Sequence, residues 1–319
     1  LLLIRPTVQH YDIIGDIHGH AGELKALLDS LGYQRHGRGY RHSSRRAVFV
    51  GDFVDRGPAI GEVIAIARAM VDAGDALAVM GNHEYNAIAF HTAVPGRDDS
   101  WFREHSAKNV KQHQATLDQL SPGKVADAIG WFKTLPVALE LDGIRVVHAA
   151  WREEQIAMIN QSLDSLGRFS AEFLFESERV GSDLNAAVED VLKGPELKLP
   201  PGIAIVDKAG YERGTIRVKW YEEPAGRTYR GYHFGSDDVP DVAIKPATVR
   251  GMAGYPVDAP PVFVGHYWLT GTPVPLAANV ACTDYSVAKG GKLVAYRWDG
   301  ERALSADKFH WAGKGNADA

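Results

Sequence analysis

With one cysteine in 319 residues, Cys282, the chain has no partner for an internal disulfide and too few thiolates for a cysteine-built zinc site. It also lacks an apolar run of membrane-spanning length. The opening stretch 1–4 is too short for a signal peptide or a span, and the sequence does not begin with methionine. Both absences point to a reducing, cytoplasmic setting without a membrane partner. Charge of one sign is scarce as well. Thirty-five Lys and Arg against 40 Asp and Glu leave a formal charge of -5, so no extended nucleic-acid partner is expected, although a local phosphate site is compatible with it. No solenoid-type repeat occurs. What remains is the composition of a globular protein, long enough for one large domain or a core domain with a smaller lobe.

The apolar runs that are present end in a recurring way. Tyr11, Ile13 and Ile14 read as a buried strand, with Asp12 as a surface or edge position; Gly15-Asp16-Ile17-His18-Gly19 follows, then Leu24, Leu27, Leu28 and Leu31 at helical spacing. Residues 32–46 are basic and glycine-rich, a loop by composition. The run 47–50 ends in Gly51-Asp52-Phe53-Val54-Asp55-Arg56-Gly57, and helical spacing resumes through Ile60, Val63, Ile64 and Ala67. A third run, 77–80, closes in Gly81-Asn82-His83-Glu84. Three strands that each end in glycine and polar residues predict a parallel arrangement with the polar clusters converging on one cleft. Downstream, 86–130 reads as mostly helical, and 137–141 with 144–147 as a hairpin about Asp142-Gly143 that ends in His148. Helical patterns cover 153–166 and 182–192, a strand is expected at 215–220, and 262–264 leads into Gly265-His266. The end reads as antiparallel strands, 279–283 and 292–298, with a frayed tail from 313.

Asp16, His18, Asp52, Asn82, His148 and His266 each stand just after an apolar run, with His83, Asp55 and Arg56 beside them. Taken singly, each has an ordinary explanation: a turn asparagine, a salt-bridged loop, a hydrogen-bonding histidine. Six in one pattern do not. Oxygen and imidazole donors without thiolates suit an ion of intermediate hardness, manganese first, iron or zinc as alternatives. Six donors exceed the needs of one ion but match two ions ~3.5–4 Å apart that share a carboxylate, and Asp52, mid-series, is the expected bridge. Two such divalent or trivalent ions lower the pKa of a water between them and neutralise phosphate oxygens, which favours in-line attack on phosphorus. His83 is placed to protonate the leaving oxygen, Asp55 to hold its ring, and Arg56 to offer phosphate a planar fork. His20, His36, His42, His91, His105, His113, His233 and His310 have no such setting; they are expected only as solvated or supporting groups.

The blocks GDIHG (15–19), GDFVDRG (51–57), GNHE (81–84), VHA (147–149) and GH (265–266) resemble those of the calcineurin-like metallophosphoesterases, in particular the phosphoprotein-phosphatase branch. That branch includes serine/threonine protein phosphatases and symmetrical dinucleoside-tetraphosphate hydrolases. Cys282, Asp284 and Gly290-Gly291-Lys292-Leu293 are similar to its closing segment. The resemblance implies an α/β fold, a four-layer α/β/β/α sandwich of two mixed β-sheets flanked by helices. It further implies one ion on Asp16, His18 and Asp52, a second on Asp52, Asn82, His148 and His266, and His83, Asp55 and Arg56 as the catalytic residues. The expectation is one domain over 1–319, with an inserted helical segment at 86–130 and an inserted lobe or hairpin at about 195–235. A second phosphate-contacting arginine falls among Arg213, Arg217, Arg227 and Arg230. The expected function is two-metal hydrolysis of a dinucleoside polyphosphate or other small phosphate ester, with Trp101, Trp151 or Tyr232 to stack on a base. A phosphoprotein phosphatase and a catalytically inactive metal-bound binding module are the alternatives.

Overall fold

The apolar runs that precede the glycine-polar clusters lie side by side in a six-stranded sheet in the computed structural model, which describes residues 10–206, 212–235 and 239–313. Strands β1 (Tyr11–Ile14), β2 (Arg46–Phe49) and β3 (Ala76–Ala78) are parallel neighbours in that order. A second sheet holds β4 (Ala138–Leu141), β5 (Ile144–Val147), β6 (Val262–Val264) and β7 (Val280–Cys282), ordered β7-β6-β5-β4. Only its β4–β5 hairpin is antiparallel. Three closing strands complete the first sheet: β8 (Asp284–Tyr285), β9 (Lys292–Trp298) and β10 (Phe309–Gly313). The long β9 pairs antiparallel with β1, β8 and β10.

Side chains alternate across a strand, so each sheet has two faces to cover. On the inner faces Ile13, Val48, Val294 and Tyr296 of the first sheet meet Ile144, Val146, Phe263 and Ala281 of the second. On the outer faces Ile14, Ala47 and Phe49 pack under helices α1 (Ala21–Ser30) and α2 (Ile60–Asp72), which follow β1 and β2. After β3 come α3 (Asn82–Phe90), α4 (Ala107–Gln119) and α5 (Pro122–Phe132). Val147, Val262 and Val264 share the outer core with α6 (Glu153–Leu166), α7 (Ala171–Glu178) and α8 (Asp183–Lys193). The result is two sheets face to face with helices outside, and covering both faces is why β1 and β2 read as continuous apolar runs. Between α8 and β6, two small hairpins, Glu196–Lys198 with Thr215–Arg217 and Ile205–Val206 with Glu212–Arg213, join a helical turn, Tyr229–Tyr232. These elements enclose a cluster of their own that includes Leu197, Ile216, Val218, Tyr229 and Tyr232.

Three expectations give way. Asp12 is fully buried, because Arg45, Arg297 and the Tyr33 hydroxyl, each 3.0 Å away, converge on its carboxylate. The glycine-rich stretch after α1 folds into a hairpin, Gln34–His36 with Gly39–Arg41. The segment expected as an antiparallel partner near the end forms β7, parallel to β6 in the other sheet. The opening 1–9 and the tail from 314, on which the expectations of a span-free start and a frayed end fall, lie outside the described residues. Among those described, no helix is long and apolar enough to cross a membrane.

Candidate metal centre

The carboxyl ends of β1, β2, β3, β5 and β6 meet at one edge of the two sheets, and the turns that leave them carry all six expected donors. Donor atoms of Asp16, Asp52 and His148 lie within 4.8 Å of one another, as do those of His18, Asp52 and His83; Asp52 is common to both sets and every member is buried. Asn82 Oδ1 lies 3.0 Å from His148 Nε2 and 2.9 Å from His266 Nδ1, which brings both remaining donors in. The His266 amide donates to both Asp16 oxygens, 3.2 and 3.0 Å away.

The glycines in these turns are a matter of space. A Cβ on Gly81 would lie 2.2 Å from Asp52 Oδ1, and one on Gly265 would lie 2.0 Å from Asp16 Oδ1. The backbone is strained as well: His18, Asp52, Asp55, Arg56 and His266 all have positive φ, between 44° and 72°. Each costs roughly 1–3 kcal/mol and persists only where the surroundings hold it. Glu84 supplies part of that hold, as its buried carboxylate accepts from the amides of Asp52 (2.7 Å), Phe53 (2.8 Å) and Gly81 (3.0 Å), tying the second turn to the third.

Hydrogen bonds decide which ring nitrogens are bare. His18 Nδ1 donates to the Val54 carbonyl at 2.8 Å, so its buried Nε2 is a lone pair without a hydrogen-bond partner, 3.4 Å from Asp52 Oδ2. His148 Nδ1 donates to the Val50 carbonyl at 2.7 Å and turns its bare Nε2 toward Asn82 Oδ1 and, at 3.5 Å, Asp52 Oδ1. Acceptor facing acceptor in a dry site is unfavourable unless a cation lies between. A backbone carbonyl behind the ring is also the usual support of a ligating imidazole. The donor set therefore fits a pair of metal ions.

Protonation follows the same division. Burial pushes His18 down to about 3 and lowers His148 and His266 too, which keeps three ligand candidates neutral. Burial acts against His83 as well, but Asp52 and Asp55 outweigh it and raise its pKa. Burial, with Asp284 and Asp52 nearby, drives the Asp16 carboxyl well above its usual range. Asp52 is lowered, because His148, His83 and His18 outweigh its burial. In Asp55 hydrogen bonds from His113 and His83 do the same. The His83–Asp55 contact measures 2.5 Å, Nδ1 to Oδ2.

The calcineurin-like phosphoesterase family profile matches residues 10–267, most of the chain and all of these turns. The chain belongs to this family. An asymmetrical bis(5'-nucleosyl)-tetraphosphatase from Halalkalibacterium halodurans is 32% identical to the phosphoesterase over 162 residues, 49% of this chain and 63% of that protein. One from Oceanobacillus iheyensis is 48% identical over 140 residues, 43% of this chain and 54% of that protein. The phosphoesterase thus matches these relatives over little more than half of their length. Among solved structures, a cold-active protein-tyrosine phosphatase of a psychrophilic Shewanella superposes with a TM-score of 0.50 at 17% identity, over 96% of this chain and 80% of that one, a likeness of fold.

Around this candidate metal centre the remaining expectations sort unevenly. Of the four candidate arginines, Arg217 reaches the site, its Nη1 donating to His266 Nε2 at 2.8 Å. Arg227 pairs with Glu222, and Arg230 with the Val239 carbonyl. Of the three rings expected to stack on a base, Tyr232 is fully buried, Trp151 carries the Arg145 guanidinium 4.7 Å from its centroid, and Trp101 stacks on His105. Trp268, two residues beyond His266, carries no mark in the sequence that sets it apart. The Arg56 guanidinium lies 4.4 Å from its ring centroid, Lys289 Nζ lies 3.9 Å from it, and the His18 ring is 5.8 Å away. Asp284 was seen only as part of the closing segment; it anchors the Trp268 amide at 2.7 Å.

Proposed function

We propose that this phosphoesterase hydrolyses small phosphate esters or anhydrides at a two-metal centre, with dinucleoside polyphosphates as the first substrate class to test. One observation carries the reading: two overlapping buried donor sets share Asp52, and backbone carbonyls fix a bare ring nitrogen on His18 in one and on His148 in the other. Asp16, His18 and Asp52 would hold one ion, and Asp52, Asn82, His148 and His266 the other. Bound there, the ions supply a water of lowered pKa and neutralise phosphoryl oxygens.

The chain's own groups do the rest. His83 also sits within ligand distance of His18 and Asp52, but a nitrogen kept protonated by Asp55 is a proton donor rather than a ligand. Its Nε2, with Arg56 Nη2 3.5 Å away, is the nitrogen that would deliver a proton to the leaving oxygen. Arg56, flattened against Trp268, holds its fork toward phosphate. Arg217 enters from the small hairpin beside α8 and donates to His266 Nε2; were His266 to hold an ion, Arg217 would be free to turn from that nitrogen to phosphate oxygens. The substrate class draws on the two tetraphosphatases named above. Manganese is the first metal to load, and the lone buried Cys282 accords with a cytoplasmic setting.

The test is hydrolysis of p-nitrophenyl phosphate by manganese-loaded protein. A parallel screen of dinucleoside polyphosphates, phosphopeptides and nucleotide monoesters ranks the substrates. Asp52→Asn should abolish turnover and lower the bound metal below two ions per chain by elemental analysis. Two ions retained in that variant refute the bridge, and a folded, metal-loaded wild type inactive on every ester leaves a binding module.

A further inference from the structure

Three histidines and a carboxylate form a continuous array behind the proposed proton donor. His83 opens α3, and its Nδ1 donates to Asp55 Oδ2. The other oxygen of Asp55 accepts from His113 Nδ1 at 2.7 Å and from the Thr116 hydroxyl at 2.6 Å, while the Asp55 amide donates to that same hydroxyl at 3.1 Å. His113 Nε2 in turn meets His91 Nε2 at 3.0 Å. His91 caps the carboxyl end of α3, so the array leaves that helix at its first turn and returns to it at its last. His113 and Thr116, three residues apart on one face of α4, are 5% and 3% exposed.

We propose that His113 and Thr116 are positioning residues for catalysis, holding Asp55, and through it His83, in the orientation that delivers a proton to the leaving oxygen. Two facts make the brace necessary. Asp55 and Arg56 are consecutive residues at φ +67°, a conformation that relaxes unless held. A carboxylate with one oxygen unbonded is free to rotate, and its grip on His83 goes with it. His91 fixes the tautomer: the Nε2–Nε2 contact holds a single proton, and because His113 has placed its own on Nδ1, His91 is the donor. Burial above all pushes His91 down to about 4, so His91 itself is uncharged near neutrality. In the step served, water supplies hydroxide to phosphorus, the P–O bond breaks with its electron pair going to the leaving oxygen, and that oxygen takes the proton of His83 Nε2. The proton that water gives up on becoming hydroxide returns to His83, which closes the balance.

The inference rests on the hydrolytic reading, so its test has a part that does not. Wild type, His113→Ala, His113→Asn and Thr116→Val are compared with manganese bound, on an alkyl phosphate monoester and on p-nitrophenyl phosphate, whose leaving group needs little protonation. His113→Ala should lower kcat for the alkyl ester about tenfold and for the aryl ester less, with KM and bound manganese unchanged. Thr116→Val should act in the same direction, and His113→Asn, whose amide reproduces the Nδ1 donor, should restore the ratio of the two rates. Separately, in metal-free, nitrogen-15-labelled protein, the His83 Nδ1 proton signal should shift and exchange faster in His113→Ala and recover in His113→Asn. Equal losses on both esters, loss of metal, or an unmoved His83 signal would overturn the proposal. If the wild type cleaves no ester, the hydrolytic reading fails, and the brace is decided by the His83 signal alone.

Discussion

Replacing Gly265 with alanine tests whether the glycines of these turns serve function rather than folding. The new Cβ would sit 2.0 Å from Asp16 Oδ1 and 2.7 Å from Val50 Cγ2, where real contacts essentially never fall below 3.0 Å. The gap must therefore open by about 1 Å. The Asp16 carboxylate is the end of a side chain and can rotate away, so the cost in stability is that of modest overpacking, about 1–3 kcal/mol. The cost in function is larger. Asp16 accepts the His266 amide through both oxygens, and turning it aside displaces one donor and frees another. A misplacement of about 1 Å at a reacting centre costs about 100-fold in rate. The variant should unfold in urea at a modestly lower midpoint than the wild type, bind fewer than two manganese ions, and lose about 100-fold in kcat on p-nitrophenyl phosphate. Gly15→Ala is the contrast, because its Cβ would meet the Thr283 backbone carbonyl at 2.0 Å, which cannot rotate, and there stability should fall first. A Gly265→Ala protein with two ions and near-normal turnover would refute the reasoning.

Other outcomes follow from the same contacts. His83→Asn should keep both ions yet slow turnover, most for poor leaving groups; an unchanged rate removes its role as acid. Asp12→Asn breaks a buried cluster of two guanidiniums and a phenol, and should lower unfolding stability by about 3 kcal/mol in urea titration, without changing metal content. Asp299 is pushed up by what burial it has, but Lys308 and Arg45 outweigh this and hold it at about 2. A depressed carboxyl contributes stability that is present above its unfolded value near 4 and lost as pH falls through 2. Asp299→Asn should flatten the acid limb of stability between those values, as followed by thermal melts.

The parts of the site legible in the sequence were those written locally. Gly51-Asp52 and Gly81-Asn82 each follow an apolar run at once, so strand, turn and donor occupy one short window. His113 carries no such mark. Its partner Asp55 lies 58 residues earlier, and only the docking of α4 brings the two together. Glu84 sits inside a block already singled out, and a count of backbone amides left over by two adjacent turns would have found it. Asp12 was misjudged because an aspartate in a strand usually marks an edge, whereas its cations stand 33 and 285 positions away. The 279–283 segment shows the same limit, since alternation along a strand says nothing of the direction of its neighbour.

The pairing of β1 with β9 bears on how the chain comes off the ribosome. Strand β1 finds one flank in β2 within some forty residues, but the other flank arrives 285 positions after Asp12 with Arg297. Until then its amides and carbonyls on that side stay unsatisfied, an open template for any passing strand. A nascent chain with its donor turns already in place would therefore remain prone to mispairing until β9 is made, and shortening the chain before Lys292 should send it into aggregates.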